Sequence, residues 1–85
     1  MILDIKQFMV LVERNQMEGI LISNGFKKDL NQYKRFSKKI SGRKFNVDIG
    51  PDCIEMYVNT TMVLSKNYIK EKLDLQEELD KILES

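Results

Sequence analysis

The hydrophobic pattern at the start of the chain predicts a helix, because apolar residues recur at intervals of three and four. The positions that share this spacing are Ile5, Phe8, Met9 and Val12. Asp4 and Gln7 are spaced as in a capping box, in which two side chains bind free amides of the first turn. Asn24-Gly25 predicts the end of the helix, since glycine readily takes the left-handed conformation there, and Phe26 is placed to make the accompanying apolar contact.

The middle of this segment leaves two interpretations open. Residues 13–19, ERNQMEG, have a weaker apolar pattern than the residues on either side. Asn15 and Glu18 are spaced to cap a new helix, and Gly19 costs about 1 kcal/mol in a helix interior. One kinked helix and two shorter helices both fit.

After residue 32 the apolar residues alternate with polar ones, which is typical of strands that bury one face. Three such runs, 33–40, 44–49 and 54–59, are separated by Ser41-Gly42 and Gly50-Pro51-Asp52. The apolar side chains that share the buried face are Phe36, Ile40, Phe45, Val47, Ile49, Ile54, Met56 and Val58. Lys38 points to the same side, between Phe36 and Ile40. The runs predict a three-stranded antiparallel meander.

The register follows from the need to keep the apolar face continuous, since a slip of one residue would turn those side chains into water. In the first hairpin, a four-residue loop 41–44 satisfies this condition. It pairs Ile40 with Phe45 and Phe36 with Ile49.

In the second hairpin, a four-residue loop 50–53 keeps the same face continuous. It pairs Ile49 with Ile54, Val47 with Met56 and Phe45 with Val58. Pro51 suits the second position of a type I turn because its φ is fixed near the required value. In this register Cys53 is a turn residue.

The end of the chain predicts a second helix, which Asp74 and Glu77 would cap. Its apolar stripe is Leu75, Leu79, Ile82 and Leu83. Residues 60–72, TTMVLSKNYIKEK, leave two interpretations open. Either Met62 to Leu64 form a short fourth strand near 62–64, or the last helix begins near Lys66 and adds Tyr68, Ile69 and Leu73 to its inner face.

The predicted fold class is α+β. The elements follow in the order α-β-β-β-α, and both helices pack on one face of the meander. A chain of 85 residues with 42% hydrophobic and 32% charged residues is typical of one globular domain, here spanning residues 1–85.

Composition excludes several chemistries. The chain has no His, the commonest general base and metal ligand, and Cys53 is its single Cys. A zinc site, a Ser–His or Cys–His nucleophile and an internal disulfide therefore cannot form. We expect a protein that is not an enzyme and has no cofactor or metal. The first residues, MILDIKQFMVLV, lack a basic leader and a long apolar run, so we expect a cytoplasmic protein without a membrane segment.

Charge is segregated along the chain, although the net charge is only +1. Residues 27–44 hold eight of the 14 Lys and Arg and one of the 13 acids, a net of +7, so six cations and twelve acids leave −6 for the remainder. This basic hairpin and the exposed sheet face predict a partner-binding surface. Its candidate residues are Tyr33, Arg35, Lys39, Arg43, Lys44 and Tyr57, with Arg43 in the hairpin loop.

Four interpretations of this surface compete. The leading hypothesis is a small non-enzymatic protein that binds another protein, as a regulator or inhibitor. The alternative is a nucleic-acid-binding module, in which the cations of 27–44 bind phosphates and Tyr33 and Tyr57 stack on bases. A third is a homo-oligomer that joins the basic hairpin to the acidic last helix. Finally, Lys and Arg also serve simply to keep an exposed strand soluble and unpaired.

The order of elements resembles that of double-stranded-RNA-binding domains and of HicA-type mRNA-cleaving toxins, which share a helix, a three-stranded antiparallel sheet and a closing helix. The stretch ISNGFKK before an alternating strand is similar to the helix-to-strand passage of those toxins, whose catalytic His has no counterpart here. Lys66, Lys70 and Lys72 lie near the place where the RNA-binding domains carry lysines. In size and in its Lys-, Ile- and Asn-rich composition, the chain also resembles small accessory proteins of low-GC bacteria and their phages. These resemblances imply RNA or a bacterial or phage assembly as the partner.

Overall fold

The structure is a computed structural model that describes residues 5–32 and 34–84, with side chains from residue 11 onward, and it has an α+β fold. The elements in chain order are α1 (Ile5–Ser23), β1 (Lys27–Lys28), β2 (Arg35–Ile40), β3 (Arg43–Ile49), β4 (Cys53–Val58), β5 (Thr61–Asn67) and α2 (Leu75–Glu84). The strands form one five-stranded antiparallel sheet in the order β1-β2-β3-β4-β5. Each strand therefore pairs with its neighbour in sequence.

The sheet is larger than the predicted three-stranded meander. Strand β1 adds a short edge, and β5 extends the predicted fourth strand at 62–64 to Thr61–Asn67. The alternative, a helix beginning near Lys66, is wrong, because α2 begins at Leu75. A bulge interrupts the alternation of β5. Met56 pairs with Leu64 but Tyr57 pairs with Met62, so Val63 is an extra residue that breaks the two-residue period expected of a strand.

Helix α1 is continuous through residues 13–19, which decides between the two interpretations in favour of one helix. Its end is a Schellman motif, in which the Phe26 amide donates to the Leu21 carbonyl and the Gly25 amide donates to the Ile22 carbonyl, each at 3.0 Å. Gly25 has a φ of 87°. The predicted end of the helix is confirmed. The apolar contact of Phe26 is confirmed as well, since both Phe26 and Leu21 are buried.

The core lies between the two helices and one face of the sheet. Helix α1 contributes Met17 and Leu21, and α2 contributes Leu75 and Leu79. The strand residues in the same cluster are Phe36, Phe45, Val47, Ile49, Ile54 and Met56, with Val58 partly buried against them. Val12, by contrast, is 39% exposed, so the predicted stripe of α1 does not extend into this core at that position. The predicted cap Asp4 and the side chains of Ile5, Phe8 and Met9 lie outside the described residues.

The second hairpin has the predicted register, with Ile49 opposite Ile54 and Phe45 opposite Val58. Cys53, however, belongs to β4 and pairs with Asn67, so it is not a turn residue.

The first hairpin has a different register from the predicted one. The loop is the two residues Ser41-Gly42, with φ of 51° and 81°, and Ile40 lies opposite Arg43. Two left-handed residues are what a tight type I′ turn requires, and its twist matches that of the strands. As a result Phe36 pairs with Val47, two residues away from the predicted partner Ile49.

Helix α2 starts as predicted, since the Glu77 amide donates to Asp74 Oδ1 at 3.1 Å. It is tied to the end of α1 by a reciprocal amide pair. Asn24 Nδ2 donates to Gln76 Oε1 at 2.8 Å, and Gln76 Nε2 donates to Asn24 Oδ1 at 3.1 Å. This pair links the two helix ends at the surface of the protein.

Candidate binding surface

The sheet face opposite the helices, which we call the open face, carries its polar side chains in rows that cross the strands. One row runs from Arg35 on β2 to Asp48 on β3 and Glu55 on β4. Asp29 lies at the β1 end of this row, where its amide donates to the Arg35 carbonyl at 2.8 Å. Three carboxylates and one guanidinium therefore lie along the row, which gives this end of the open face a net negative charge.

Arg35 and Asp48 form a two-pronged ion pair. Arg35 Nε donates to Asp48 Oδ1 at 2.7 Å and Nη2 donates to Oδ2 at 2.9 Å. The Asp48 side chain is only 5% exposed and that of Arg35 is 27% exposed. The hydrogen bond to Asp48 raises the pKa of Arg35 above its ordinary value. The Arg35 charge is thus neutralised within the protein, although the sequence placed it in the partner-binding set.

The next row contains Ser37, Asn46 and Tyr57. The Ser37 hydroxyl donates to Asn46 Oδ1 at 2.6 Å, and Asn46 is buried. The Tyr57 hydroxyl lies 3.4 Å from Glu55 Oε2, to which it donates. Burial, and then the nearby Glu55 carboxylate, raises the pKa of Tyr57. Tyr57 does lie on the open face, but it is grouped with carboxylates and not with the lysines.

The lysines gather at the other end of the open face, beside the Ser41-Gly42 turn. Lys39 and Lys44 lie directly opposite each other on β2 and β3, and Lys27 lies opposite Ser37 on the same face. They border an open depression of about 580 Å³. The residues that line it are Lys27, Lys28, Asp29, Ser37, Lys38, Lys39, Gly42 and Lys44. We call this group the basic depression.

Two cations of the hairpin lie on the side that faces the helices, and one of them, Lys38, also lines the edge of the depression. Arg43 is the first residue of β3 and not a loop residue as predicted. It lies on the inner side, with its guanidinium carbon 5.3 Å from the centre of the Phe45 ring. Lys38, on the same side, donates from Nζ to the Asn24 carbonyl at the end of α1. A cation at a helix C-terminus is favourable, so Lys38 has a structural role.

The structure therefore divides the predicted site. It brings Lys39 and Lys44 together, it places Arg35 and Tyr57 in rows toward the acidic end, and it puts Arg43 on the other face. Tyr33 lies outside the described residues. The sequence analysis missed Lys27 as a neighbour of the lysine pair, because the two residues of β1 are too few to show alternation.

Comparisons with protein-family models, with curated proteins and with solved structures found no match for this chain. The resemblance in element order to RNA-binding domains and toxins therefore stays a prediction. Within the described residues, no helix is both long and apolar enough to cross a membrane.

Proposed function

We propose that this chain is a small, non-enzymatic, cytoplasmic protein that binds an acidic surface of another protein and regulates or inhibits it. The observation that supports this proposal is the basic depression. Lys27, Lys39 and Lys44 point from three strands to one end of the open face, where their charges attract an acidic group.

The other end of the open face favours a protein over a nucleic acid as the partner. Asp48 and Glu55 lie in adjacent strands of the same face, and Arg35 is already paired with Asp48. A nucleic acid long enough to cross the sheet would bring its phosphates against these carboxylates. A protein surface presents both signs of charge, so it can complement the lysines at one end without bringing negative charge against the acidic row.

Nucleic-acid binding is the second candidate, and the basic depression itself supports it. A lysine ammonium binds a phosphate as a point charge without demanding a fixed geometry. A short single-stranded segment that stays at the lysine end would avoid Asp48 and Glu55. Such binding would weaken steeply with salt, because each neutralised phosphate releases counterions.

The proposal is tested by capture from a lysate of the source cells, followed by binding measurements with the captured protein after it has been purified. We expect Lys44→Glu to lose the partner. Lys72→Glu is the matched control, since Lys72 is exposed, lies outside the open face and undergoes the same change of charge. A partner that binds both variants equally well would contradict the proposal.

The second candidate is tested by fluorescence anisotropy with mixed-sequence DNA and RNA at about 50 and about 200 mM salt. Several phosphate contacts predict a fall in affinity of at least roughly tenfold between the two conditions. Micromolar binding that has this salt dependence and is lost in Lys44→Glu would replace the first proposal with the second.

A further inference from the structure

Lys39 and Lys44 are opposed at the closest approach that the sheet allows. The Ile49 amide donates to the Lys34 carbonyl at 2.9 Å. This bond determines which residue pairs between β2 and β3 are hydrogen-bonded and which are not. Residues 36, 38 and 40 of β2 bond to β3, so Lys39 and Lys44 form a non-hydrogen-bonded pair, in which the side chains are closest. Like charges in this arrangement destabilise a sheet.

No carboxylate forms an ion pair with Lys39 or Lys44 among the residues that the structure describes. The described ion pairs involve Arg35, Lys66 and Lys81, and none involves Lys27, Lys39 or Lys44. Asp29 borders the depression, but its Oδ1 accepts from the backbone amides of Asn31 and Gln32. The basic depression therefore keeps an excess of positive charge in the folded protein.

The backbone of β2 adds a donor at the same place. The same alternation points the amide and carbonyl of Lys39 toward the β1 side of the strand. There β1 pairs only with Phe36 and Ser37, and the residues before it, Gly25 and Phe26, belong to the turn that ends α1, where their amides donate to carbonyls of that helix. The edge of β2 at Lys39 thus faces the depression instead of another strand.

We infer that the basic depression binds a carboxylate of an acidic peptide segment, held by the ammonium groups of Lys39, Lys44 and Lys27 and by the Lys39 amide. This inference rests on the proposed function and names the group that the partner supplies. Binding removes the repulsion between Lys39 and Lys44, so the bound protein is more stable than the free one.

A short acidic segment fits the depression better than a polynucleotide does. Asp29 borders it on one side, and the row of Asp48 and Glu55 begins four residues from Lys44 along β3. One or two carboxylates can lie among the lysines, which outnumber Asp29 there, without approaching Asp48 and Glu55. The regular phosphates of a longer nucleic acid cannot, and for that reason we favour the peptide.

The test is an NMR titration of the full chain with a blocked tetraglutamate peptide at low salt. We expect saturable shifts of the amides of Lys39, Gly42 and Lys44, and little change at Ser65 on the far edge. Affinity should fall at least about tenfold in Lys44→Glu, which replaces attraction by repulsion, and by less than about twofold in the Lys72→Glu control.

A thermal unfolding experiment separates loss of binding from loss of folding. Tetraglutamate should raise the Tm of the natural sequence and of Lys72→Glu, and should leave that of Lys44→Glu unchanged. Lys44→Glu alone should be at least as stable as the natural sequence, because it places opposite charges across from each other.

Three results would overturn the inference. Equal binding of tetraglutamate to Lys44→Glu would show that the depression is not its site. Shifts at Lys39 and Lys44 with an oligothymidylate but not with tetraglutamate would assign the depression to phosphates. If tetraglutamate fails to bind while the captured protein still requires Lys44, the proposed function stands and only the carboxylate assignment fails.

Discussion

Arg35–Asp48 and Lys39–Lys44 are the same kind of pair with opposite electrostatics. Both join β2 to β3 on the open face, and both are non-hydrogen-bonded pairs, in which side chains approach closely. Arg35 and Asp48 carry opposite charges and are bound by two hydrogen bonds, whereas Lys39 and Lys44 carry like charges and border a depression.

The difference shows how one surface can serve stability at one end and binding at the other. At the first end Arg35 and Asp48 neutralise each other and the remaining carboxylates leave a net negative charge, so among the described residues of this row no free cation is left for an acidic partner to bind. The lysine end leaves a charge excess that the fold does not need, and such excess is what a partner of opposite charge can use. Four substitutions or conditions, from the largest expected effect to the smallest, test this contrast.

Arg35→Ala removes the guanidinium of the Arg35–Asp48 ion pair. It leaves the Asp48 carboxylate, which is only 5% exposed, without its partner. We expect a loss of about 3 kcal/mol in the free energy of unfolding, measured with guanidinium chloride. Lys34→Ala, at an exposed neighbour, is the control and should lie within about 0.5 kcal/mol of the natural sequence. A loss for Arg35→Ala no larger than that of the control would show that the pair contributes nothing to stability.

Lys38→Met tests whether the lysines around the depression differ in role. Lys38 donates to the Asn24 carbonyl at the end of α1, so its removal should cost about 1 kcal/mol by chemical denaturation. Lys28→Met changes an exposed lysine on the same side of the sheet and should have little effect. If the two substitutions are equally harmless, Lys38 belongs with the binding lysines and not with the fold.

Lys44→Glu replaces the like-charged pair with an oppositely charged one, so that both cross-strand pairs are then attractive. We expect a gain of about 0.2–1 kcal/mol, toward the lower end because both side chains are exposed. Lys44→Gln only removes the repulsion, so its gain should be smaller. Both gains should shrink at high salt, which screens exposed charges. A loss of stability in both variants would mean that Lys44 makes a contact that the fold requires.

The smallest expected effect is a loss of folding stability at alkaline pH, which comes from the ionisation of Tyr57. Because burial and then Glu55 raise its pKa, the phenol of the unfolded chain ionises before that of the folded chain. The stability that the neutral Tyr57 phenol contributes is therefore fully present below its ordinary pKa of 10.0. It is lost as the pH rises through the pKa of the folded state. The fall in denaturation midpoint between about pH 9 and about pH 11 should be smaller in Tyr57→Phe. Tyr68, whose pKa burial also raises, would account for part of the remainder.

The register of the first hairpin explains why only part of the candidate site was predicted correctly. A shift of two residues keeps every side chain on its face, so Phe36 finds an apolar partner in either Val47 or Ile49. The apolar pattern therefore could not choose between the registers. The turn decides, and Ser41 is not a strong sign of a left-handed residue, as asparagine would be. With a two-residue turn, the sequence alone places Arg35 opposite Asp48 and Lys39 opposite Lys44.

Other parts of the fold were predictable because two signals agreed. The end of α1 has both its glycine and the apolar residue after it, and the second hairpin has apolar residues at matching positions on both strands. Strand β5 has neither advantage, since the bulge at Val63 interrupts its alternation and an edge strand buries few residues.

The Asn24–Gln76 amide pair has a consequence for the order in which the chain assembles. Strands β2 to β5 pair with their neighbours in sequence, so the sheet can form by closing short hairpins. Asn24 and Gln76 are 52 residues apart and can meet only when both helix ends are in place. We therefore expect this contact to form after the folding barrier, so Gln76→Ala should accelerate unfolding and leave the folding rate almost unchanged. The lifetime of the native state, more than the speed of reaching it, would depend on this pair.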